Sequence, residues 1–230
     1  MFERLFSSIG IGSTKVNTVL FQSLIERGKE VNGEVHIFGG NYEQKISEIY
    51  IHIDSEFYKF EDEMSEFNEI TEPILEIKIT DPVIIKPHEK RVVPFSVTLP
   101  YYTPITYREQ KVQIQTELEI NFFNHPVATH DFLLNDRFIE DILSYFVKHG
   151  FKHSNESGLC RHRIPTDKNP THCFQNFHLL NEHGVHIYFE GNQKDIDIFV
   201  CEKNQVRHLL ILREEDLSKQ LLNVPITTSK

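Results

Sequence analysis

Residues 111–120 read KVQIQTELEI and show most clearly the pattern that indicates the fold class. Apolar side chains stand at almost every second position and alternate with lysine, glutamine and glutamate, which is the period of a β-strand with one buried and one wet face. Four earlier stretches have the same period, at residues 31–37, 49–54, 75–80 and 95–99. Because turn residues, and no long helical pattern, separate these stretches, the sequence predicts antiparallel strands packed as a β-sandwich.

The pattern changes after residue 127. Apolar residues at helical spacing follow Asn135 and Asp136, so we predict a helix over residues 135–149. Strand patterns then return at residues 173–180, 185–190, 195–201 and 206–212. The sequence therefore predicts a mainly β chain in two parts, an N-terminal β-sandwich at residues 1–127 and a C-terminal β-rich lobe with the helix at residues 128–230.

The charge balance argues against nucleic acid as a partner. The 230 residues carry 24 basic and 34 acidic side chains, a formal net charge of −10. A nucleic-acid binder normally presents a basic surface, because contacts with phosphate supply much of its affinity. The net charge is −8 for residues 1–127 and −2 for residues 128–230. Neither part predicts such a surface.

Several features favour a cytoplasmic protein. The first residues, MFERLFSS, are too polar for a secretory signal, and no apolar run approaches the ~20 residues that a membrane helix needs. The three cysteines, Cys160, Cys173 and Cys201, are an odd and sparse set. Reduced thiols in the cytoplasm are the simplest interpretation.

Four residues are candidate ligands for a zinc ion: Cys160, His162, His172 and Cys173. Thiolate and imidazole are the ligands of a tetrahedral zinc site, but structural sites prefer pairs two to four residues apart, and this spacing differs. The alternative is a histidine-rich surface loop with two incidental thiols. We predict no cofactor and no dedicated metal site, and keep a metal-binding or hydrolytic enzyme that uses the loop at residues 149–178 as the alternative function.

Other chemical signatures are weak. The sequence contains no G-x-S-x-G and no H-E-x-x-H motif, so we expect no enzyme activity. Residues 10–15 read GIGSTK and lack the Gly-Lys-Ser/Thr order of a phosphate-binding loop. Apolar residues at helical spacing within residues 1–9 raise the alternative of a peripheral membrane module, but that segment has few cationic residues, and we do not expect a membrane contact.

The N-terminal part resembles the bacterial sporulation-control protein family. The shared motifs occur in one order over most of residues 1–120. They are Ser8-Ile9-Gly10-Ile11-Gly12-x-x-Lys15-Val16-Asn17-Thr18, Gly28-x-x-Val31-x-Gly33-x-Val35-x-Ile37-x-Gly39-Gly40, Gln44-Lys45-Ile46-x-x-Ile49, Ile85-Lys86-Pro87-x-Glu89, Pro94-Phe95-Ser96, Leu99-Pro100, Thr103-Pro104-Ile105-Thr106 and Gln115-Thr116-x-Leu118-x-Ile120. The C-terminal part is similar more loosely, through its helix and the run Phe174-Gln175-Asn176-Phe177.

The resemblance implies an arrestin-like fold of two β-sandwich lobes. It also implies a non-enzymatic regulator or adaptor of a bacterial developmental programme, either sporulation control or a related cell-envelope or cell-division process. The expected partner is a cytoplasmic protein of unknown identity, and self-association is the other contact considered. The family pattern supplies no catalytic residue.

Histidine content adds a hypothesis about pH. Nine of the 13 histidines lie in residues 128–230. Protonation of half of them near pH 6.5 takes the charge of this part past about +2, while the first part stays negative. Mild acid is then expected to strengthen the attraction between the lobes or between two molecules. The alternative is that the histidines are scattered and solvated.

Overall fold

The computed structural model describes residues 12–59, 68–80, 82–120 and 125–224. Strands dominate this part of the chain, and the predicted mainly β fold class is confirmed. The strands are β1 Lys15–Leu20, β2 Leu24–Glu26, β3 Glu30–Phe38, β4 Gln44–Ile46, β5 Glu48–Lys59, β6 Asn68–Thr80, β7 Val83–Ile85, β8 Lys90–Thr98, β9 Val112–Glu119, β10 Val127–Asp131, β11 Leu133–Asn135, β12 Lys152–His153, β13 Cys160–His162, β14 Cys173–Leu180, β15 Val185–Glu190, β16 Ile196–Glu202 and β17 Gln205–Ile211. The helices are α1 Arg137–Lys148 and α2 Leu217–Leu222.

Two compact units interleave along the sequence. The first contains Met1–Ser55, Thr71–Leu99 and Lys111–Leu133, and the second contains Glu56–Ile70, Pro100–Gln110 and Leu134–Lys230. These units describe which parts of the folded chain pack together, and do not tell whether either part folds by itself. The division of the chain into domains at residues 1–127 and 128–230 therefore stays a prediction.

Besides the two-stranded antiparallel sheet of β4 and β7, the first unit contains two larger sheets. One has the strand order β1-β3-β8, and in the other β9 lies between β10 and β5, with β6 beside β5. The alternation seen in the sequence becomes alternation of burial. Val35, Ile51 and Leu118 are fully buried, because inward positions of each strand face the core while their neighbours face solvent.

The second unit contains an antiparallel sheet in the order β13-β14-β15-β16-β17, with β12 also beside β14. The inward side chains of this sheet, such as Phe177, Ile187 and Ile198, are fully buried. α1 adds four buried apolar residues to the core of this unit: Ile139, Ile142, Leu143 and Phe146.

Two glutamines hold segments of the second unit together. The Gln175 amide accepts from the Ile105 N–H at 2.9 Å and donates to the carbonyls of Ile105 and Gly158 at 2.7 and 2.9 Å. The Gln110 amide accepts from the Cys160 N–H at 2.7 Å. Since both glutamines are buried, these bonds satisfy backbone groups that water does not reach.

Some sequence predictions concern residues outside the described part. The amphipathic segment at residues 1–9 and the first two residues of the GIGSTK run belong to this group. In the described part, no helix is long and apolar enough to cross a membrane.

Candidate functional site

The four candidate zinc ligands are adjacent in the fold but differ in environment. β13 pairs with β14 so that His162 lies opposite Cys173, and Cys160 lies opposite Gln175. Both thiols are fully buried. The rings of His162 and His172 stack at 4.6 Å, and the Nδ1 atom of His172 is 3.0 Å from the Arg163 carbonyl oxygen. The imidazoles thus contact each other and the backbone, while the thiols face the core.

The remaining histidines of the loop at residues 149–178 make other contacts. His149 caps α1, with its Nδ1 atom 2.8 Å from the Tyr145 carbonyl oxygen. His178 contacts β15, with its Nε2 atom 2.9 Å from Nδ1 of His186. Within residues 12–59, 68–80, 82–120 and 125–224, no three His, Cys, Asp or Glu side chains converge as a set of metal ligands.

A hydrogen-bonded chain of Tyr107, His153 and Ser157 was not apparent from the sequence. The Tyr107 hydroxyl lies 3.0 Å from Nε2 of His153, and the Ser157 hydroxyl lies 2.9 Å from Nδ1. A serine beside an imidazole is the arrangement of an activated nucleophile, but such a serine must be reachable by substrate. Ser157 is 1% exposed, and its oxygen accepts from the His178 N–H at 3.2 Å. These hydrogen bonds therefore join β12 to β14, and the serine is not open to a substrate.

The most distinctive surface is the solvent-facing side of β14–β17, which we call the outer face. It consists of the side chains that alternate with the buried ones: Asn176, His178, Leu180, His186, Tyr188, Glu190, Asp197, Phe199, Cys201, Val206, His208 and Leu210. The strand register aligns four rings in one row across the sheet. His178 lies opposite Tyr188, Tyr188 opposite Phe199, and Phe199 opposite His208.

The rings of this row stack in pairs; Tyr188, Phe199 and His208 are exposed, and His178 is half-buried. The centroids of His178 and Tyr188 are 4.2 Å apart, and those of Phe199 and His208 are 4.9 Å apart. Tyr188 is 40% exposed and Phe199 is 39% exposed. Val206 and Leu210, on β17, are also exposed. Aromatic side chains offer much contact area at little cost in conformational entropy, and they are enriched at protein interfaces.

Ion pairs border the row on one side and line a cavity of about 690 Å³. Arg163 pairs with Glu190 and lies over the Phe174 ring at 5.3 Å. Lys168 pairs with Asp197, which also lies 2.6 Å from Nε2 of His208. The outer face thus combines apolar rings with a rim of paired charges, which is the composition of a transient protein interface.

Burial and pairing shift the ionisation of this face. Burial raises the pKa of Glu190, although the attraction of Arg163 opposes it. Burial acts in the same direction on Asp197, but the hydrogen bonds from Lys168 and His208 outweigh it, and the pKa of Asp197 is lowered. Burial lowers the pKa of His178, and repulsion by His186 lowers it further. The lowered pKa values favour an ionised Asp197 and a neutral His178, whereas burial works against the ionised form of Glu190.

The outer face could not be read from the sequence, because it depends on strand register. The positions of β14–β17 were predicted to within one residue, so each strand alone showed which side chains alternate. Which rings meet across neighbouring strands follows only from the pairing. The sequence does contain one indication of an exposed apolar surface. Tyr188, Phe199 and Leu210 are large side chains at positions that the alternation assigns to solvent.

Comparisons with known proteins give the same fold. A crystal structure of Spo0M, sporulation control protein, from Bacillus subtilis, superposes with a TM-score of 0.76 at 21% identity, covering 92% of this chain and 95% of that chain. The predicted arrestin-like fold class is therefore confirmed. The sporulation-control protein Spo0M of Bacillus subtilis (strain 168) is 32% identical over 153 residues, or 66% of this chain. The aligned part spans 58% of that protein's length.

The family assignment rests on a longer match. A family model described as SpoOM protein (Spo0M) matches residues 2–211, which includes both compact units apart from the C-terminal segment. The sporulation-control motifs quoted from the N-terminal sequence lie within this range. The chain belongs to the SpoOM protein family, and the curated relative that it matches is a sporulation-control protein.

Proposed function

We propose that this protein is a non-enzymatic, cytoplasmic regulator that acts by binding another protein through the outer face. The process is sporulation control or a related cell-envelope or cell-division programme. The observation that carries the proposal is the exposed row of stacked rings, with Tyr188 and Phe199 at its centre. A handful of central aromatic residues commonly supply most of the binding energy at a protein interface.

The rim supports the same proposal. Arg163, Glu190, Lys168 and Asp197 are paired within the chain, so docking of a partner leaves no buried charge of theirs without an opposite charge. In contrast, the pair formed by Ser157 and His153 has an enclosed serine, which argues against hydrolysis at that place. We also propose that the four zinc candidates serve packing and loop structure, not metal binding.

The test substitutes the two central rings together. The Tyr188→Glu/Phe199→Glu double variant places charges where a partner must remove water, and we expect it to lose the bound partner. The matched control is Tyr42→Glu, because Tyr42 is a tyrosine of the first unit and is 78% exposed. Each protein is expressed at its native level, cross-linked in cells and purified, and the captured proteins are identified by mass spectrometry.

The expected result is that wild type and the Tyr42 variant capture the same protein and the double variant does not. Equal capture by all three would contradict the proposal, provided that thermal unfolding shows the double variant to be folded. Metal analysis tests the alternative enzyme. Stoichiometric zinc that is lost on Cys160→Ser would favour the metal site over the interaction surface. Liposome co-sedimentation with and without residues 1–9 tests the membrane alternative.

A further inference from the structure

The outer face ends at β17, the last strand of its sheet. β17 pairs with β16 along its whole length, and among the described residues no strand pairs with its other side. An unpaired strand edge presents a row of N–H and C=O groups that another strand can complete.

The hairpin between β16 and β17 decides which groups point outward. Its loop has two residues, Lys203 and Asn204, and Glu202 lies opposite Gln205. In such a hairpin the residues that flank the loop form a hydrogen-bonded pair, and bonded and non-bonded pairs then alternate along the ladder. Arg207 and Leu209 therefore bond to β16. The N–H and C=O groups of Val206, His208 and Leu210 point away from it.

At the next outward position, Leu212, the backbone groups of this edge have a hydrogen-bond partner. The side-chain amide of Gln220, on α2, accepts from the Leu212 N–H at 2.8 Å and donates to the Leu212 carbonyl at 2.8 Å. One amide thus satisfies both backbone groups, as a residue of a neighbouring strand does. Within the described residues, no group does the same for Val206, His208 or Leu210. The described part of the chain therefore closes this edge at one end only.

β17 also lacks the usual protection of an edge strand. Native edges are often blocked by proline or interrupted by a bulge. β8, at the edge of the three-stranded sheet of the first unit, contains Pro94. β17 has no proline, its pairing with β16 runs without a bulge, and Val206 and Leu210 are exposed beside the open groups.

Charge indicates the chemistry of the occupant. β17 has one basic residue, Arg207, and no acidic residue, and the adjoining turn adds Lys203. Both side chains are exposed, and neither forms an ion pair with the described residues. Val206, His208 and Leu210 place their side chains on the outer face, whereas Arg207 lies on the opposite side of the strand. An added strand therefore meets apolar side chains on one side and a cation on the other.

We propose that the open edge of β17 binds an extended peptide segment of a partner protein, in which apolar residues alternate with acidic ones, as an added antiparallel strand. Its apolar residues lie opposite Val206, His208 and Leu210 and exchange backbone hydrogen bonds with them. Its acidic residues lie on the side of Arg207. The proposal rests on the proposed function, because it specifies how a protein partner engages the outer face.

Hydrogen exchange of the full chain tests the edge before any ligand is added. We expect the amides of Arg207 and Leu209 to exchange slowly and those of Val206, His208 and Leu210 to exchange fast. The Leu212 amide is expected to be slow in the wild type and fast in Gln220→Ala. Slow exchange at all five positions of β17 would mean that the edge is already closed, and would overturn the proposal.

The binding test uses a short synthetic peptide in which valine and glutamate alternate. Two derivatives, N-methylated on every valine or on every glutamate, are titrated into the isotope-labelled full chain and followed by NMR. In the proposed register the valine N–H groups face β17 and the glutamate N–H groups face away. We expect methylation of valine to weaken binding about tenfold or more and methylation of glutamate to leave it unchanged. Equal effects of both, or the reverse order, would overturn the proposal.

Protein variants provide a second test. Val206→Pro removes one outward donor and leaves the pairs with β16 intact, so the unmodified peptide should bind about threefold to tenfold more weakly. Val206→Thr keeps the donor and is the matched control. Arg207→Glu should bind a peptide with lysine in place of glutamate better than the wild type does. Unchanged binding of both peptides by Arg207→Glu would remove the charge part of the proposal.

The outcomes separate this proposal from the broader one. If Val206→Pro captures the cellular partner as well as wild type does, the edge proposal is wrong while the outer face remains a docking surface. If Val206→Pro abolishes a concentration-dependent dimer and the peptide does not bind, the edge belongs to a second copy of the chain. Loss of capture in both Val206→Pro and the Tyr188/Phe199 double variant supports both proposals.

Discussion

Gln175 forms hydrogen bonds that connect two other segments of the second unit to β14. Its amide satisfies three backbone groups, the N–H and C=O of Ile105 and the carbonyl of Gly158, and the residue is fully buried. Replacement by leucine keeps the volume and removes the bonds. We therefore expect Gln175→Leu to lower the free energy of unfolding by about 3 kcal/mol, because the three groups remain buried without partners.

Urea denaturation followed by circular dichroism measures this change. The matched control is Gln205→Leu, a glutamine at the exposed start of β17. A loss of stability no larger than that of the control would show that water reaches the three backbone groups in the folded protein. The importance of Gln175 was not evident in the sequence, where it appeared only as part of a motif. A glutamine at an inward strand position is the signal that marks it.

Three histidines make stability depend on pH. Burial is the largest cause that lowers the pKa of His130, His153 and His178 from the usual 6.5. The unfolded chain then binds these protons at higher pH than the folded chain does. Unfolding takes up protons between pH 6.5 and the lowered folded-state values, so the free energy of unfolding falls as the pH falls through this window. At pH well above 6.5 the three groups contribute no pH dependence.

Urea unfolding of wild type and His178→Phe at about pH 8 and about pH 5.5 tests this dependence. We expect the variant to lose less stability between the two pH values, and the matched control is His183→Phe, in an exposed turn. Identical losses in wild type and His178→Phe would contradict the assignment. Attraction between lobes or molecules in mild acid stays a prediction, and small-angle scattering at both pH values and two salt concentrations tests it.

At the scale of elements, α1 depends on its N-cap residue, Asp136. The Asp136 carboxylate accepts from the N–H groups of Phe138 and Ile139 at 3.0 and 3.4 Å, and it pairs with Arg213. Arg213 lies between the rings of Tyr101 and Phe138, at 4.3 and 4.6 Å from their centroids. One carboxylate thus caps the helix and neutralises a nearly buried guanidinium.

Substitutions of Asp136 separate these roles. Asp136→Asn keeps a capping oxygen and removes the charge, and we expect a loss of about 2 kcal/mol in the free energy of unfolding. Asp136→Ala removes both, and the expected loss is about 4 kcal/mol, because the cap and the partner of Arg213 disappear together. Denaturant unfolding compares the two variants with wild type. Equal losses would mean that the cap contributes nothing beyond the ion pair.

Elements were predictable where one local signal was enough. β14 and β15 have the predicted bounds of residues 173–180 and 185–190, because alternation and the flanking glycines define them. α1 lies within the predicted residues 135–149, since its cap and apolar spacing are local. The row from His178 to His208 could not be predicted, because it depends on the register of four strands. The hydrogen bonds between the Gln220 amide and the Leu212 backbone could not be predicted either, since Gln220 is eight residues away on another element.

At the scale of the whole molecule, the second unit uses a segment from the middle of the chain. Pro100–Gln110 belongs to it and supplies the partners of Gln175 and Cys160. A fragment of residues 128–230 lacks these partners. We expect this fragment alone to give poorly dispersed amide NMR signals, and dispersed signals to return when residues 1–127 are co-expressed with it.

A well-dispersed spectrum of the isolated fragment would contradict this expectation. It would also support residues 128–230 as an independently folding domain. A control for aggregation is needed, because the low net charge of residues 128–230 favours aggregation of an unfolded fragment. Spectra recorded at low protein concentration separate aggregation from failure to fold.

The three thiols have unequal access to reagents. Cys160 and Cys173 are fully buried, whereas Cys201 is partly exposed, opposite Val206 and His186 on the outer side of β16. A maleimide fluorophore should therefore attach to Cys201 in the native protein without any engineered cysteine, and mass spectrometry should count one label before denaturation and three after it. The unmodified sequence then provides a single dye beside the edge of β17, and the emission of that dye reports any strand that docks there.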